Sequence, residues 1–144
     1  MSKDRIFIDT SGFYALLVSN DIHHHKAVKV LKELTSKSCE FITTDYILDE
    51  SVTLLRARRV TGQIARLFEI VDDSSYVSLE WVGPERFERA RMYFAQYTEH
   101  DFSFTDCTSF VLMRELGIHS ALTGDKHFNE AGFTAILRPD TVLS

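Results

Sequence analysis

Hydrophobic positions in this chain fall into two patterns, short continuous runs and runs at helical spacing, and the two take turns from one end to the other. Arg5–Asp9 (RIFID) predicts a short buried strand closed by the polar group Thr10, Ser11 and Gly12, after which Phe13–Val18 reads as helix. Between His23 and Ser38, the residues Ala27, Val30, Leu31 and Leu34 recur at the spacing of an amphipathic helix. Glu40–Thr43 suits a second strand, and Asp45 to about Arg59 a second long helix. Thr61–Val71 repeats the helical period with Ile64, Leu67, Phe68 and Val71 on one face. Tyr76–Val82 is rich in β-formers. Gly83 and Pro84 then open a helix through about Tyr97, since proline suits a first turn. Phe104–Leu116 predicts a buried helix stopped by Gly117, and Ser120–Thr123 and Thr134–Leu137 predict the last two strands.

Alternating strands and helices without a two-residue hairpin signal predict an α/β fold. The expected form is a three-layer α/β/α sandwich around a mostly parallel sheet of about five strands. No repeat and no long linker interrupts the chain, so residues 1–144 are expected to form a single domain. Composition fits a packed core: 44% of residues are hydrophobic, and two prolines and six glycines exclude collagen-like or mainly disordered chains. Apolar runs such as Tyr14–Val18 are too short to cross a bilayer, and Asp9 arrives too early for a signal segment. Cys39 and Cys107 lack metal or disulfide spacing. A reduced, cytoplasmic protein with no membrane contact is the expectation.

The net charge of −5 argues at first sight against a nucleic-acid partner. The distribution changes that picture. Arg56, Arg58, Arg59 and Arg66 lie in a stretch, Ser51–Phe68, that holds no acid. From Asp101 onward, Asp101, Asp106, Glu115, Asp125, Glu130 and Asp140 outnumber Arg114, Lys126 and Arg138. A basic stretch beside an acidic one can meet a phosphate backbone while its carboxylates hold metal. Solvated helix faces account for the same pattern when nothing else points to a ligand.

Placement sharpens the choice. In a parallel sheet, acids just past strand ends collect on one edge, where ligands bind near a topological switch point. Asp9 ends the first strand, and Asp125 follows the strand containing Ser120–Thr123. From Asp106 the predicted helix travels roughly 15 Å, and the strand back to Gly124 covers roughly 16 Å, so Asp106 and Asp125 are expected together. Asp106 also shares a helical line with Phe110, Met113 and Gly117, where a charge is costly without a partner. A capping box with Ser103 explains Asp106 equally well. Glu50 lies at the border of the stripe formed by Ile47, Leu48, Ser51, Leu54 and Leu55, while Asp49 points away. Four converging carboxylates would repel and raise one another's pKa values, and Mg²⁺ or Mn²⁺ is the ready remedy. Taken singly, each acid is as readily a turn residue or an N-cap.

Three stretches carry a resemblance to a known family: IDTSGFYALL (Ile8–Leu17), TDYILDESVTLLRAR (Thr44–Arg58) and DFSFTDCTSFVLMRELGIHSALTGDKHF (Asp101–Phe128). In order and separation they resemble the PIN-domain family and, within it, the VapC-like toxins. The resemblance implies a parallel α/β/α sandwich in which Asp9, Glu50, Asp106 and Asp125 bind divalent metal for RNA hydrolysis. It also implies that Thr10 or Ser11 contacts water or phosphate at the site, and that Thr123 orients Asp125. Asp101 becomes an outer acid, an antitoxin covers the cleft, and the chain forms a homodimer. A non-toxin RNA-processing nuclease, or an inactive scaffold that binds RNA or protein, is the alternative within the family. The capping role competes for Ser11, which is well placed as N-cap of the first helix.

Other residues have plainer readings. His23, His24 and His25 are consecutive and so point in different directions, which disfavours zinc. Arg56, Arg58 and Arg59 are candidate contacts for RNA or for an acidic partner, or else a solvated helix end. Tyr93, Phe94 and Tyr97 are expected in core or dimer packing, Trp81 in the core, and Cys107 as a small buried residue. A haloacid-dehalogenase-like phosphatase would need an aspartate where Ser11 stands.

Overall fold

A computed structural model of the chain describes residues 4–73 and 75–139, so Asp140 of the C-terminal acidic group lies outside the described residues. Five strands, β1 (Arg5–Ile8), β2 (Glu40–Thr44), β3 (Val77–Glu80), β4 (Ser120–Leu122) and β5 (Thr134–Ala135), form one sheet. Their order is β3-β2-β1-β4-β5, and every pairing is parallel. The helices are α1 (Thr10–Leu17), α2 (His24–Ser36), α3 (Asp45–Ala57), α4 (Gly62–Asp73), α5 (Gly83–Gln96), α6 (Phe104–Leu116) and α7 (Lys126–Glu130). The expected α/β class and parallel sheet are what the chain adopts.

A parallel sheet covered by helices on both faces buries both sides of its central strands. Accordingly Phe7 and Ile8 of β1, Phe41 of β2 and Leu122 of β4 are fully buried. On α2 the predicted stripe faces inward, with Ala27 and Val30 buried and Leu31 and Leu34 packed on the core. Helix α6 carries both terminal signals read from its sequence. Ser103 caps its start, and Gly117 ends it in the left-handed conformation at φ 68°. Tyr93 packs against Tyr97, Phe102 and Phe110 between α5 and α6, as its spacing predicts.

Several details differ from the expectation. Helix α1 starts at Thr10 and takes in Ser11 and Gly12, because the chain turns directly at Asp9. The short helix α7 was not anticipated; Asp125 caps it. Trp81 is 67% exposed, not core. It follows β3, the outermost strand on that side of the sheet, where no neighbouring strand covers it. Phe68 also turns outward while Leu67 is fully buried. Phe94 is exposed and lies over Phe104.

The order of strands positions the site. Chain order runs from β1 outward to β2 and β3, then returns to the other side of β1 for β4 and β5. The reversal falls between β1 and β4, and the crevice beyond their C-terminal ends receives Asp9 and the segment Thr123–Asp125. Gly12 permits the close approach there: a Cβ at this position would lie 2.1 Å from the Leu122 carbonyl oxygen. Backbone cannot yield to such a contact as a flexible side chain would. Gly12→Ala is therefore expected to lower stability by about 1–3 kcal/mol, the usual cost of overpacking. Denaturant melts of the two proteins check this, and coincident midpoints would contradict it.

Candidate active site

Three helices that begin at this edge are capped by a side chain. Thr44 accepts from the Ile47 N–H at the start of α3, Ser103 from the Asp106 N–H of α6, and Asp125 from the His127 N–H of α7. Asp9 occupies the same position before α1, yet its side chain makes no cap bond. Its carboxylate instead accepts a hydrogen bond at Oδ2 from the Thr123 hydroxyl, 2.8 Å away. Only 5% of Asp9 is exposed. An aspartate so placed, and not used for capping, calls for a further partner.

Around Asp9 the polar groups form a short chain. Thr123 Oγ1 also accepts from the Asp125 N–H at 3.0 Å, so this one hydroxyl steadies both acids. Ser11 Oγ lies 2.9 Å from Thr123 Oγ1 and accepts the Gly124 N–H at 3.0 Å. Ser11 is thus not the N-cap of α1; it ties the first turn of that helix to the loop after β4. The Thr10 hydroxyl donates to Glu50 Oε1 and so links the residue beside Asp9 to α3. Glu50 is partly buried and Asp49 exposed, as their helical positions predict.

Asp106 satisfies both of its sequence readings at once. Its Oδ2 accepts the Ser103 N–H at 3.1 Å, completing the capping box, and the residue is buried beside the other acids. Asp106, Asp125 and His127 bring donor atoms within 4.8 Å of one another, which fits the length argument that placed Asp106 by Asp125. His127 had no place in the sequence reading. Its ring Nδ1 lies 3.2 Å from Asp106 Oδ2 and 3.3 Å from Asp125 Oδ1. The available signal was its position two residues past Asp125, where the first turn of a capped helix folds the side chain back toward the cap.

The electrostatics follow from this crowding. Burial lifts the Asp9 carboxyl from its ordinary 3.8 to about 7; the Thr123 hydroxyl opposes the rise, and the charges of Asp106 and Asp125 add to it. Asp106 is also raised, chiefly by burial; the Ser103 N–H opposes this and Asp125 reinforces it. The Cys107 thiol is pushed up to about 11 by burial and by Asp106, which leaves it a poor nucleophile. Oxygen donors that repel one another in this way suit a hard divalent cation.

Other candidates stand apart. Arg56, Arg58 and Arg59 are exposed, and Arg56 lies about 9 Å along α3 from Glu50. Arg58 sits over the Tyr14 ring, 5.7 Å from its centroid. Asp101 is exposed. The three consecutive histidines do not converge: His24 Nδ1 is 2.7 Å from the Ala15 carbonyl oxygen, while His23 packs against Gly124. A cavity of about 590 Å³ between α1, α2 and α4, lined by Leu16, Leu31, Ile70 and Val77, contains none of the four acids. Among the described residues, no helix is long and apolar enough to cross a membrane.

Asp9 also sets a pH dependence. Above its unfolded value near 3.8 the unfolded chain releases a proton that the folded chain holds until about pH 7. Without a cation, stability therefore falls as pH rises through that window, by up to about 4 kcal/mol. In chelator, the wild type is expected to melt at a lower temperature at pH 8 than at pH 5, with a smaller gap for Asp9→Asn. Equal gaps in the two proteins would contradict the assignment.

Known proteins resemble the chain along most of its length. The sequence profile of the PIN domain matches residues 6–134. The chain is 34% identical over 135 residues to the 23S rRNA-specific endonuclease VapC20 of Mycobacterium tuberculosis, covering 94% of this chain and 99% of that one. It is 30% identical over 111 residues to a VapC ribonuclease of Archaeoglobus fulgidus, covering 76% and 70% of the respective chains. The crystal structure of Mycobacterium tuberculosis VapC20, a sarcin-ricin loop cleaving toxin, superposes with a TM-score of 0.79. That match is 33% identical and covers 90% of this chain and 96% of that one. With its crossover order, its acidic edge and these relatives, the chain belongs to the PIN-domain family, among its VapC-like members.

Proposed function

We propose that this chain is a divalent-metal-dependent endoribonuclease, the toxin of a VapBC-type pair, acting on RNA in the cytoplasm. The observation that carries the reading is Asp9: a buried, uncapped carboxylate facing Asp106 and Asp125. Burial and the neighbouring acids favour the protonated form of this group, and a bound cation would restore its charge at neutral pH. The relatives named for ribonuclease activity supply the substrate class.

In this reading Asp9, Asp106 and Asp125 hold Mg²⁺ or Mn²⁺, and Glu50 completes the cluster. When bound, the ion supplies Lewis acidity toward the phosphodiester and toward the attacking water. The chain's own residues orient the oxygens. Thr123 fixes Asp9 through Oδ2, Thr10 fixes Glu50 through Oε1, and the Ser103 N–H fixes Asp106 through Oδ2. Glu50 and Asp106 thereby have one oxygen anchored and the other left to the ligand, while Asp9, which also accepts the Thr10 N–H, is held from two sides. Ser11 holds the Gly124 loop against α1 and so keeps Asp125 near Asp9. Residues 1–144 act as one PIN domain, and the active form is a homodimer. A VapB-like antitoxin silences it by covering the carboxylate edge. Exposed Arg56, Arg58 and Arg59 are the cations offered to RNA or to that partner.

Calorimetry with Mn²⁺ tests the reading most directly. The wild type is expected to bind saturably and Asp106→Asn not at all, with far-UV circular dichroism unchanged. On ribosomal RNA the same substitution is expected to slow cleavage roughly 100-fold or more. A folded wild type that binds no Mn²⁺, or an Asp106→Asn variant that cuts at the wild-type rate, would defeat it.

A further inference from the structure

His127 lies inside the acidic edge and has no part in the mechanism above. Its Nδ1 sits between Asp106 Oδ2 at 3.2 Å and Asp125 Oδ1 at 3.3 Å. Each of those oxygens is already engaged from the protein side. Asp106 Oδ2 accepts the Ser103 N–H at 3.1 Å, and Asp125 Oδ1 accepts the His127 N–H at 2.9 Å. A carboxylate oxygen accepts two hydrogen bonds comfortably, so the ring N–H can fill the remaining place on Asp106 Oδ2 while it lies against Asp125 Oδ1. The opposite oxygens, Asp106 Oδ1 and Asp125 Oδ2, then have no hydrogen bond among the described residues.

The ring is held where it can do this. His127 belongs to the first turn of α7, whose cap is Asp125 itself, so the backbone fixes its starting direction. Phe102 meets the ring edge-to-face at 5.6 Å, and His100 stacks on Phe102 at 4.6 Å. The imidazole is therefore positioned by packing as well as by its polar contacts.

We infer that His127 is a positioning residue whose Nδ1–H donates to Asp106 Oδ2 while the ring sits against Asp125 Oδ1, turning the opposite oxygen of each acid toward a divalent cation. This rests on the metal reading proposed above. The competing arrangement, in which Nδ1 is itself a ligand, would place the nitrogen on the cation and not on the two oxygens that backbone N–H groups already occupy.

Mn²⁺ titration by calorimetry and pulsed electron paramagnetic resonance of the Mn²⁺-loaded protein separate the possibilities. The variants are His127→Ala, His127→Asn and His127→Gln. An Asn amide N–H reaches roughly the place of Nδ1, whereas that of Gln reaches the place of Nε2. Loss of the Nδ1 contact is expected to weaken Mn²⁺ binding about 10–100-fold in the Ala and Gln variants, with most of the affinity retained by Asn. The wild-type spectrum is expected to show no imidazole nitrogen coupling to Mn²⁺. Nitrogen coupling that disappears in His127→Ala would make His127 a ligand and overturn the inference. Wild-type affinity in the Ala variant, or equal losses in Asn and Gln, would also overturn it while leaving the metal site intact. Absence of Mn²⁺ binding by the wild type would remove the metal reading itself. Should a variant fail to fold, the wild-type spectrum still decides between positioning residue and ligand.

Discussion

Repulsion among Asp9, Asp106 and Asp125 is the constraint around which this structure is arranged. Each is drawn from a different part of the chain, and two of them, Asp9 and Asp106, are buried. A fold that only needed stability would place such groups apart or neutralise them with lysine or arginine. Here the neighbours are hydroxyls, backbone N–H groups and one imidazole, that of His127, with no lysine or arginine ion pair to these acids among the described residues. The site consequently keeps its negative potential for whatever cation enters.

The same groups serve local structure and chemistry together. Asp106 closes the capping box of α6, and Asp125 caps α7, each through one oxygen. A capping aspartate is held at a fixed direction by the helix it begins, and helices docked on a sheet are rigid supports. Asp9 is the instructive exception, since its helix begins without a side-chain cap and its orientation comes from Thr123 across the sheet. Capping and ligation are therefore not rival accounts of an acid at a helix start; the second oxygen decides whether both hold.

Much of this was legible in the chain before any coordinates. The alternation of β and helical periods carries the parallel sheet, and strand-end position brings Asp9 and Asp125 to one edge. Two element lengths suffice to place Asp106, and helical phase separates Glu50 from Asp49. What stayed hidden depends on neighbours distant in sequence. Trp81 reads as a strand-end core residue, and only strand order shows that β3 lies outermost. Ser11 has the right type and place for a cap, but its hydroxyl serves the loop after β4, which no local pattern encodes. The role of Gly12 likewise requires knowing that the Leu122 carbonyl passes close by. His127 was missed because its importance comes from the turn that Asp125 begins, a five-residue helix too short to show a period.

The crossover that brings β4 beside β1 has a consequence for how the protein comes into being. Thr123 and Asp9 are 114 residues apart in sequence, yet their hydrogen bond lies at the centre of the cluster. Pairings this remote form late, because a long loop must close before any contact rewards it. A growing chain can join β1 to β2 early and still leave the other side of β1 open. Until Asp125 has left the ribosome and β4 has docked, the carboxylates are scattered along an unfinished chain. A carboxylate edge assembled in this order is complete only once the last strands of the sheet are in place.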